Sequence, residues 1–456
     1  MAFKEDIARL DAGFMRKQNE ITVIYGEREN GLTDLLMQFN KDKEGFYFCA
    51  RKCDYITQMR VFINELYSSA KLSSPKSADI ASVLSEYIKS TPAKKVIIID
   101  NFNYIIKESP SFLNMLCEVR SHLCPDNSCL FLLASDDIYF VRNNLVKTAR
   151  RSSYEISEIY RVCERSLRSV YAEQRGISVS EYIGMVSVIG LNKMFWDDAK
   201  ECGNTRSLIV SYMLDTTGRY IEHMSSLFGN YVREPAVYNT ILYNIAGDKN
   251  KLNDIHASTG YDRAKLSVYI KNLIAMGILY KAEGVPIGDE HAVKSGVYYF
   301  IDPGVHFYYR FIFPNLSALY MLSRERFYRK YIENGLHMHI EHYYSLFCIE
   351  QLRYLNENQK LPFSISHIEK YYDKREAIDI VAWDDEGNII ICGCRYRAPH
   401  MSYSQYEDIV KSAESAKLDF KAIYLFSADD FDQKLSLNSK MHKELVLING
   451  KGQRLR

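Results

Sequence analysis

The chain has 456 residues, enough for roughly three domains of ordinary size and too many for one small fold. Its 58 Lys and Arg residues balance 57 Asp and Glu residues, so contact with nucleic acid requires a local basic patch rather than a global field. The ten cysteines form no C-x-x-C pair, which excludes the usual zinc clamps. The longest aliphatic run, Val96 to Ile99, is too short to span a bilayer, and we expect a cytoplasmic protein.

Four short apolar runs, separated by amphipathic stretches, mark the first third of the chain. This alternation is typical of strands and crossover helices in a parallel sheet. Because no run alternates strictly with polar residues, each fits a strand that is buried on both faces. We therefore predict an α/β core of the nucleotide-binding type over residues 1–150, with strands at 21–25, 46–50, 96–100 and 130–135.

The remainder of the chain divides into four segments by its apolar spacing. From Ile156 to Leu167 the apolar residues recur at helical spacing, and farther on three helical segments precede two β-like runs. The predicted segments are a helical lid (151–235), a winged helix (236–302), an aromatic connector (303–330) and a second α/β unit (331–456).

A glycine-containing turn follows the first strand and reads Gly26-Glu27-Arg28-Glu29-Asn30-Gly31-Leu32-Thr33. Its glycine spacing and its place before a helix match a Walker A phosphate loop. Backbone N–H groups and the helix N-terminus would favour a phosphate there. However, Leu32 stands where the lysine belongs, and a hydrocarbon cannot neutralise the charge that develops during phosphoryl transfer. The turn therefore predicts weakened nucleotide binding and severely impaired hydrolysis.

The run Ile97-Ile98-Ile99-Asp100 resembles a Walker B strand, whose carboxylate would hold Mg²⁺ weakly together with Thr33. Asn101 follows where related ATPases usually carry a glutamate, and an amide cannot accept a proton from water. Ser135, at the end of the fourth strand, is a candidate sensor of the γ-phosphate. The candidate residues for binding ATP or ADP are Gly26, Asn30, Gly31, Leu32, Thr33, Asp100, Asn101 and Ser135. The alternative is an ordinary strand-to-helix turn beside a strand-ending aspartate.

In this order, the pieces resemble a family of prokaryotic, archaeal-type P-loop ATPases whose C-terminal domain is similar to PD-(D/E)XK nucleases. The resemblance begins at Phe3 to Phe14, ahead of the loop, and continues through the Walker-like pair and the winged helix. It extends through Tyr299-Phe300-Ile301-Asp302 to the nuclease-like end. It implies an AAA-like architecture, in which this chain is a degenerate member.

The same resemblance implies a relic nuclease site in the last domain. Glu341 occupies the position of the family's helix glutamate, and Asp379 keeps the aspartate of the Ile-Asp strand motif. The final motif reads Gly393-Cys394-Arg395, so one carboxylate is lost and the lysine is replaced. A metal-dependent nuclease needs two or three carboxylates and a base, and arginine cannot act as that base. The alternative is an ion pair between Asp379 and Arg395 in a packed scaffold.

Three histidines near Glu341, namely His337, His339 and His342, invite a metal interpretation. Their spacing does not match H-E-x-x-H, and His337 does not share a helical face with the other two. We therefore predict a solvated start of a helix rather than a metal site.

The third helix of the winged segment predicts a possible DNA-binding face. Leu266, Ile270 and Leu273 form an inward stripe, which leaves a second set of side chains outward at four-residue spacing. The outward candidates for DNA contact are Arg263, Ser267 and Lys271. A purely structural role or protein docking is the alternative, and the sequence does not identify a protein partner.

Three functional hypotheses remain open at this point. The first is a regulatory or scaffold protein whose nucleotide-binding fold no longer catalyses hydrolysis. The second is an active ATPase that takes its missing cation from Arg142, Arg150, Arg151 or a neighbouring subunit. The third is a DNA-binding winged-helix factor in which nucleotide has no role.

Overall fold

A computed structural model describes residues 3–26, 30–70, 79–123, 128–147, 155–162, 167, 170–171, 177–199, 201–228, 232–282, 296–372, 377–396, 400–449 and 454–455. The chain forms two compact units. Unit one comprises Met1–Ser169 and Ala275–Gly277, and unit two comprises Val170–Ile274 and Ile278–Arg456. The five segment boundaries predicted from the sequence stay a prediction.

Unit one is built on a five-stranded parallel sheet with the strand order β2-β3-β4-β1-β5. Its first four strands are the predicted apolar runs, and β1, β3 and β4 are buried almost throughout. Since all strands are parallel, their carboxyl ends meet at one edge, where ligands bind in open α/β sheets. The strands are β1 (Glu20–Tyr25), β2 (Gly45–Cys49), β3 (Lys95–Asp100), β4 (Cys129–Ser135) and β5 (Glu158–Arg161).

Helices cover both faces of this sheet, because its strands are apolar on both sides. One apolar cluster joins β1 to β4 with α3 to α6, and another packs α1 and α2 against the opposite face. The helices are α1 (Lys4–Met15), α2 (Leu32–Asn40), α3 (Tyr55–Ala70), α4 (Ile80–Lys89), α5 (Asn103–Glu108), α6 (Ser111–Ser121) and α7 (Ile138–Phe140), which continues as a π-helical turn at Val141–Leu145.

The fifth strand corrects the prediction that helical structure begins near residue 155. Residues Glu158–Arg161 pair in parallel with Thr22–Tyr25 of β1, so they extend the sheet. The spacing of three residues between Ile156, Ile159 and Val162 fits a helical face. The segment forms a strand instead, because its backbone hydrogen bonds to the edge of β1, which would otherwise be unpaired. A four-residue strand is too short to show its own periodicity in the sequence.

Unit two begins with helices that pack around α8, whose residues from Tyr182 to Ile189 are all buried. Three of the later helices are followed by an antiparallel hairpin of β6 (Leu279–Ala282) and β7 (Val297–Phe300). The helices up to this hairpin are α8 (Val179–Ile189), α9 (Lys193–Ala199), α10 (Thr205–Ser207), a π-helical turn (Leu208–Met213), α11 (Arg219–Ser225), α12 (Pro235–Ala246), α13 (Leu252–Thr259) and α14 (Arg263–Ala275).

The aromatic segment after the hairpin is a series of short helical turns, of which the first two are mostly buried. It comprises α15 (Pro303–Phe307), a π-helical turn (Tyr308–Ile312), a 3₁₀ turn (Phe313–Asn315), α16 (Leu316–Met321), α17 (Arg324–Phe327) and a second π-helical turn (Tyr328–Ile332). The long helix α18 (Glu333–Glu357) follows directly.

The end of unit two is a separate mixed sheet with the order β13-β12-β11-β10-β9-β8. Strands β10, β11 and β12 are parallel, whereas β8, β9 and β13 join antiparallel to their neighbours. The elements are β8 (His367–Tyr372), β9 (Ala377–Trp383), β10 (Ile389–Arg395), α19 (Tyr403–Ser415), β11 (Phe420–Ser427), α20 (Gln433–Met441), β12 (Leu445–Asn449) and β13 (Arg454–Leu455). The predicted α/β multidomain class is therefore confirmed, with a parallel five-stranded sheet and a separate C-terminal mixed sheet.

Candidate functional site

Gly26 and Gly31, at the two ends of the turn between β1 and α2, have defined backbone surroundings. Gly26 donates its N–H to the carbonyl of Ser135 (3.2 Å), and Gly31 adopts φ of +91°, which favours glycine. A Cβ atom on Gly31 would lie 2.8 Å from Cζ of Phe3, so that ring leaves room for hydrogen alone. Between these glycines, Glu27, Arg28 and Glu29 lie outside the described residues.

The side chain at the lysine position of the loop belongs to the core. Leu32 opens α2, is 3% exposed and packs in an apolar cluster with Leu10, Ile24 and Leu36. Phe3 and Ile7 of the N-terminal segment pack against the same cluster. The leucine is therefore held by packing on the α1 side of the helix.

The structure brings Thr33 and Asp100 together, as the Walker interpretation requires. Thr33 Oγ1 donates to Asp100 Oδ2 at 3.4 Å, and the backbone N–H of Asn101 donates to Oδ1 at 2.9 Å. Sequence reasoning missed Tyr47 of β2, whose hydroxyl donates to Asp100 Oδ2 at 2.8 Å. Asp100 is 2% exposed, and each of its oxygens already accepts a hydrogen bond from the protein.

Asn101 and Ser135 lie at the same edge of the sheet. Asn101 adopts a left-handed backbone with φ of 56°, which asparagine tolerates better than most residues, and its side-chain amide donates to Cys49 Sγ at 3.4 Å. Ser135 Oγ donates to Asn103 Oδ1 at 2.9 Å and accepts the N–H of Asp137 at 3.0 Å. Both side chains are thus engaged within the protein.

The arginines of unit one bear on the active-ATPase hypothesis. Arg142 is exposed on the π-helical turn after α7, while Arg150 and Arg151 lie outside the described residues. Sequence reasoning missed Arg161, which pairs in register with Tyr25 at the end of β1. Its guanidinium lies 3.9 Å from the position that a Cβ atom on Gly277 would take, so it extends toward that glycine.

Backbone N–H groups at and just beyond the end of β10 hold both predicted relic carboxylates. The N–H of Cys394 donates to Asp379 Oδ2 at 2.8 Å, and the N–H of Tyr396 donates to Glu341 Oε1 at 3.3 Å. Asp379 and Ile380 of β9 together oppose Lys370 of β8, which is a β-bulge. Such bulges redirect side chains and often lie beside functional sites.

Lys370 is a cation of this region that sequence reasoning missed. Burial lowers the pKa of its ammonium, which the Asp379 carboxylate partly opposes. Part of the Asp379 surface is exposed, yet the surrounding protein removes some of its hydration and raises its pKa. The Cys394 N–H, Lys370 and Arg395 act in the opposite direction and lower that pKa.

Gly393, which stands where the family has a carboxylate, is surrounded by apolar side chains. A Cβ atom on Gly393 would meet the side-chain ends of Ile409 and Met401, so a longer side chain fits there only if these ends shift. Within the described ranges, no group of three His, Cys, Asp or Glu residues is placed to hold a metal ion. Arg395 is half-buried, and no hydrogen-bond acceptor among the described residues lies within reach of its Nε.

The histidines of α18 correct the prediction of a solvated helix start. His339 is 1% exposed and its Nε2 bonds to the carbonyl of Ser187 in α8 at 2.7 Å. Its ring centroid lies 4.8 Å from that of His306, whose Nδ1 bonds to the Tyr343 hydroxyl at 2.9 Å. Burial lowers the pKa of His306 to about 4 and that of His339 well below its usual value. Packing by other helices, which the local pattern does not reveal, causes this burial.

The third helix before the hairpin has the predicted inward stripe, since Leu266, Ile270 and Leu273 are buried. Arg263 and Lys271 are exposed, and Ser267 is half-buried between them. Arg263 Nε donates to Asn253 Oδ1 at 3.2 Å, so its charge is not neutralised by that partner.

Comparisons with known proteins agree with this architecture. Residues 308–411 match the DUF234 family, described as "Archaea bacterial proteins of unknown function". An uncharacterised protein of Methanocaldococcus jannaschii is 25% identical over 398 residues, covering 84% of each chain. The Walker-type ATPase of Pyrococcus abyssi superposes with a TM-score of 0.52 at 15% identity, covering 67% of this chain and 95% of that one. The ORC2 protein of Aeropyrum pernix gives 0.41 at 12% identity, covering 70% and 93%.

The family match in the C-terminal part and the P-loop fold of the N-terminal part confirm the resemblance to archaeal-type, AAA-like ATPases. The similarity to the Pyrococcus abyssi protein shows the fold alone. Across the part of the chain that the structure describes, no helix combines the length and apolarity needed to cross a membrane.

Proposed function

We propose that this chain, an archaeal-type P-loop ATPase in architecture, acts as a regulatory or scaffold protein whose phosphate site no longer catalyses hydrolysis. The burial of Leu32 carries this proposal. A catalytic lysine must leave the helix start and reach the β- and γ-phosphates, whereas Leu32 is 3% exposed within an apolar cluster. Nothing in this position neutralises charge as phosphoryl transfer proceeds.

The second half of the site supports the same proposal. Thr33 and Asp100 are oxygen ligands of the kind that Mg²⁺ prefers, but the Tyr47 hydroxyl and the Asn101 N–H already occupy the carboxylate. A magnesium ion must displace or share these bonds, which weakens its net binding. Asn101 supplies no base for water. The residues therefore do not fit active Mg-ATP chemistry.

Calorimetric titration with Mg-ATP and Mg-ADP, combined with a phosphate-release assay on the full chain, tests this proposal. We expect weak nucleotide binding and no turnover above the background without protein. Turnover at an ordinary enzymatic rate that requires magnesium and is abolished by Asp100→Asn would establish the active ATPase instead. Arg142→Ala and Arg161→Ala would then identify the cation, with Arg60→Ala as a control on an exposed residue of α3.

A second candidate function is DNA contact through α14. The observation that favours it is the exposed pair Arg263 and Lys271, which lie eight residues apart on α14 and outside the buried stripe. No carboxylate within the described ranges forms an ion pair with Lys271 or Arg263. Side chains arranged in this way along a recognition helix contact phosphates and base edges in the major groove.

Duplex binding measured at several salt concentrations tests this candidate. Each phosphate contact contributes about 0.9 to the slope of log affinity against log salt, so Arg263→Ala and Lys271→Ala should each reduce that slope by about this amount. Lys411→Ala, on an exposed position of α19, is the matched control. Unchanged slopes in both variants, or no duplex binding at low salt, would exclude DNA contact by this face.

A further inference from the structure

A surface cavity in unit two lies between α11 and the aromatic segment after the hairpin. Its volume is about 360 Å³, which falls in the range of small-molecule sites. The side chains that define its chemistry are Glu222 and Ser225 of α11, Tyr308 of the π-helical turn, and Leu316 and Tyr320 of α16. Among the residues that line it, Glu222 has an ionisable acidic side chain and supplies a negative charge.

Tyr308 is a buried residue with an unused polar group in this cavity. The residue as a whole is 4% exposed, and its hydroxyl forms no hydrogen bond with the described residues, so that oxygen is open to the cavity. Burial and the nearby Tyr320 raise the pKa of Tyr308, so the hydroxyl stays protonated. The residue begins a π-helical turn, a feature that is frequent at functional sites.

Glu222, which lines the same cavity, contributes an uncompensated negative charge. Its side chain is exposed, and within the described ranges no cation pairs with it. The neighbouring cations are committed elsewhere. Arg219, one turn earlier, lies 3.4 Å from Asp198, and Arg324 lies 2.9 Å from Asp215 and donates to the carbonyl of Ser211 at 3.1 Å.

Tyr320 and Leu316 supply an apolar rim. Tyr320 is 66% exposed, so its ring is accessible at the mouth of the cavity. A tyrosine ring attracts a cation to its face, and the aliphatic side chain of Leu316 can cover a short hydrocarbon stem. The lining thus combines a carboxylate, a free hydroxyl and an aromatic face.

We propose that this cavity binds an aliphatic amine, meaning an ammonium group on a short hydrocarbon stem. The Glu222 carboxylate and the Tyr308 hydroxyl accept hydrogen bonds from the ammonium, and the Tyr320 ring contacts the stem and its charge. The ligand is either a free amine or the lysine side chain of a partner protein, which share this chemistry. This inference is independent of the nucleotide site in unit one.

Ligand-observed NMR on the full chain tests the proposal with three probes of equal length: n-butylammonium, butan-1-ol and butyrate. We expect saturable binding of n-butylammonium and much weaker binding of the alcohol and the carboxylate. A second arm compares 1,4-diaminobutane with a short lysine peptide and its norleucine analogue. Tighter binding of the diamine identifies a free amine, and tighter binding of the lysine peptide identifies a partner's side chain.

Two conservative variants locate the binding. Glu222→Gln keeps the shape and should weaken n-butylammonium by roughly threefold to fivefold, the range of an exposed ion pair. Tyr308→Phe removes the hydroxyl and should weaken the binding of n-butylammonium by a larger factor than Glu222→Gln does. Glu407→Gln changes an exposed carboxylate of α19 and should have no effect on that binding. The proposal is overturned if Glu222→Gln binds as the unaltered chain does, or if butyrate or butan-1-ol binds as tightly as n-butylammonium.

Discussion

At the scale of single residues, the carboxylate of Asp100 shows how tertiary contacts decide what a motif residue does. The sequence places it correctly at the end of an apolar strand and near Thr33. It does not reveal Tyr47, because a tyrosine among phenylalanines in β2 fits an apolar strand equally well. The hydroxyl reaches Asp100 because β2 and β3 are neighbours in the sheet, and strand order is not visible in local patterns.

Tyr47→Phe removes the hydroxyl that donates to Asp100 Oδ2. Hydrogen bonds to charged groups contribute about 1.5–3 kcal/mol, so we expect local stability around β3 to fall by about that amount. Hydrogen exchange of peptides covering β3, read by mass spectrometry, measures the change. Tyr139→Phe, at a position 37% exposed in the same unit, is the control. Equal protection in both variants would show that the hydroxyl does not stabilise the carboxylate.

Gly31→Ala tests the backbone of the loop. A residue with a Cβ atom pays about 1–2 kcal/mol at this left-handed φ, and the new methyl group would also displace the Phe3 ring. We expect a loss of more than about 1 kcal/mol in the opening free energy of α2, again by hydrogen exchange. Gly26→Ala is the matched control in the same loop, because a Cβ atom there meets Val162 at an ordinary 3.5 Å. Similar effects of the two changes would contradict this account.

At the scale of elements, periodicity predicts those whose burial repeats along the chain. The stripe of Leu266, Ile270 and Leu273 is an example, whereas the four apolar runs of unit one are recognised by their continuous apolar character. The apolar pattern fails to predict β5, because this strand is short and both of its end residues, Glu158 and Arg161, are charged. The strand forms because the edge of β1 offers backbone groups for hydrogen bonding. The pattern fails again for His339, which is buried by α8 from another part of the chain.

The buried histidines predict that unit two loses stability in acid. The pKa of His306 is about 4 when folded and about 6.5 in an unfolded chain, so the unfolded state binds more protons between these values. The contribution of neutral His306 to the free energy of unfolding is therefore fully present above about pH 6.5, and it is lost as the pH drops toward 4. One such group costs about 1.4 kcal/mol per pH unit in this window, and His339 shifts in the same direction.

Tryptophan fluorescence during urea unfolding at pH 7.5 and pH 5 measures this loss. Trp196 and Trp383, the two tryptophans of the chain, both belong to unit two. His306→Phe, which keeps a ring against Phe300, should reduce the pH dependence, whereas His400→Asn at an exposed position should leave it unchanged. A stability that does not change between the two pH values would refute the assignment.

At the scale of the whole molecule, length and charge exclude some classes of protein but do not identify the function of this one. The near balance of charge directs attention to local groups such as Arg263 and Lys271, whose contact with DNA stays a prediction. The extent of unit one depends on contacts between distant segments, since residues 275–277 cluster with residues 1–169. No local pattern could predict that association. The loop motif is local, however, and its residues could therefore be found in the sequence.

Restoring the two lost groups of the loop distinguishes an eroded phosphate site from an ordinary turn. Leu32→Lys with Asn101→Glu returns the cation and the acid, and we expect Mg-ATP affinity to rise at least about tenfold, or about 1.4 kcal/mol, with measurable turnover. Stability should fall, because removing a buried leucine costs about 2–5 kcal/mol and glutamate replaces asparagine at a left-handed φ.

The neutral pair Leu32→Met with Asn101→Gln is the control for this restoration, since it changes the same positions without adding charge. Calorimetry and phosphate release on both double variants, with circular dichroism to confirm folding, separate chemistry from disruption. Tyr47 still donates to Asp100 in these variants, so adding Tyr47→Phe should increase magnesium-dependent turnover further. If the charged pair neither binds nor hydrolyses better than the neutral pair, Gly26 to Thr33 is a strand-to-helix turn, and the proposed descent from a catalytic phosphate loop is wrong.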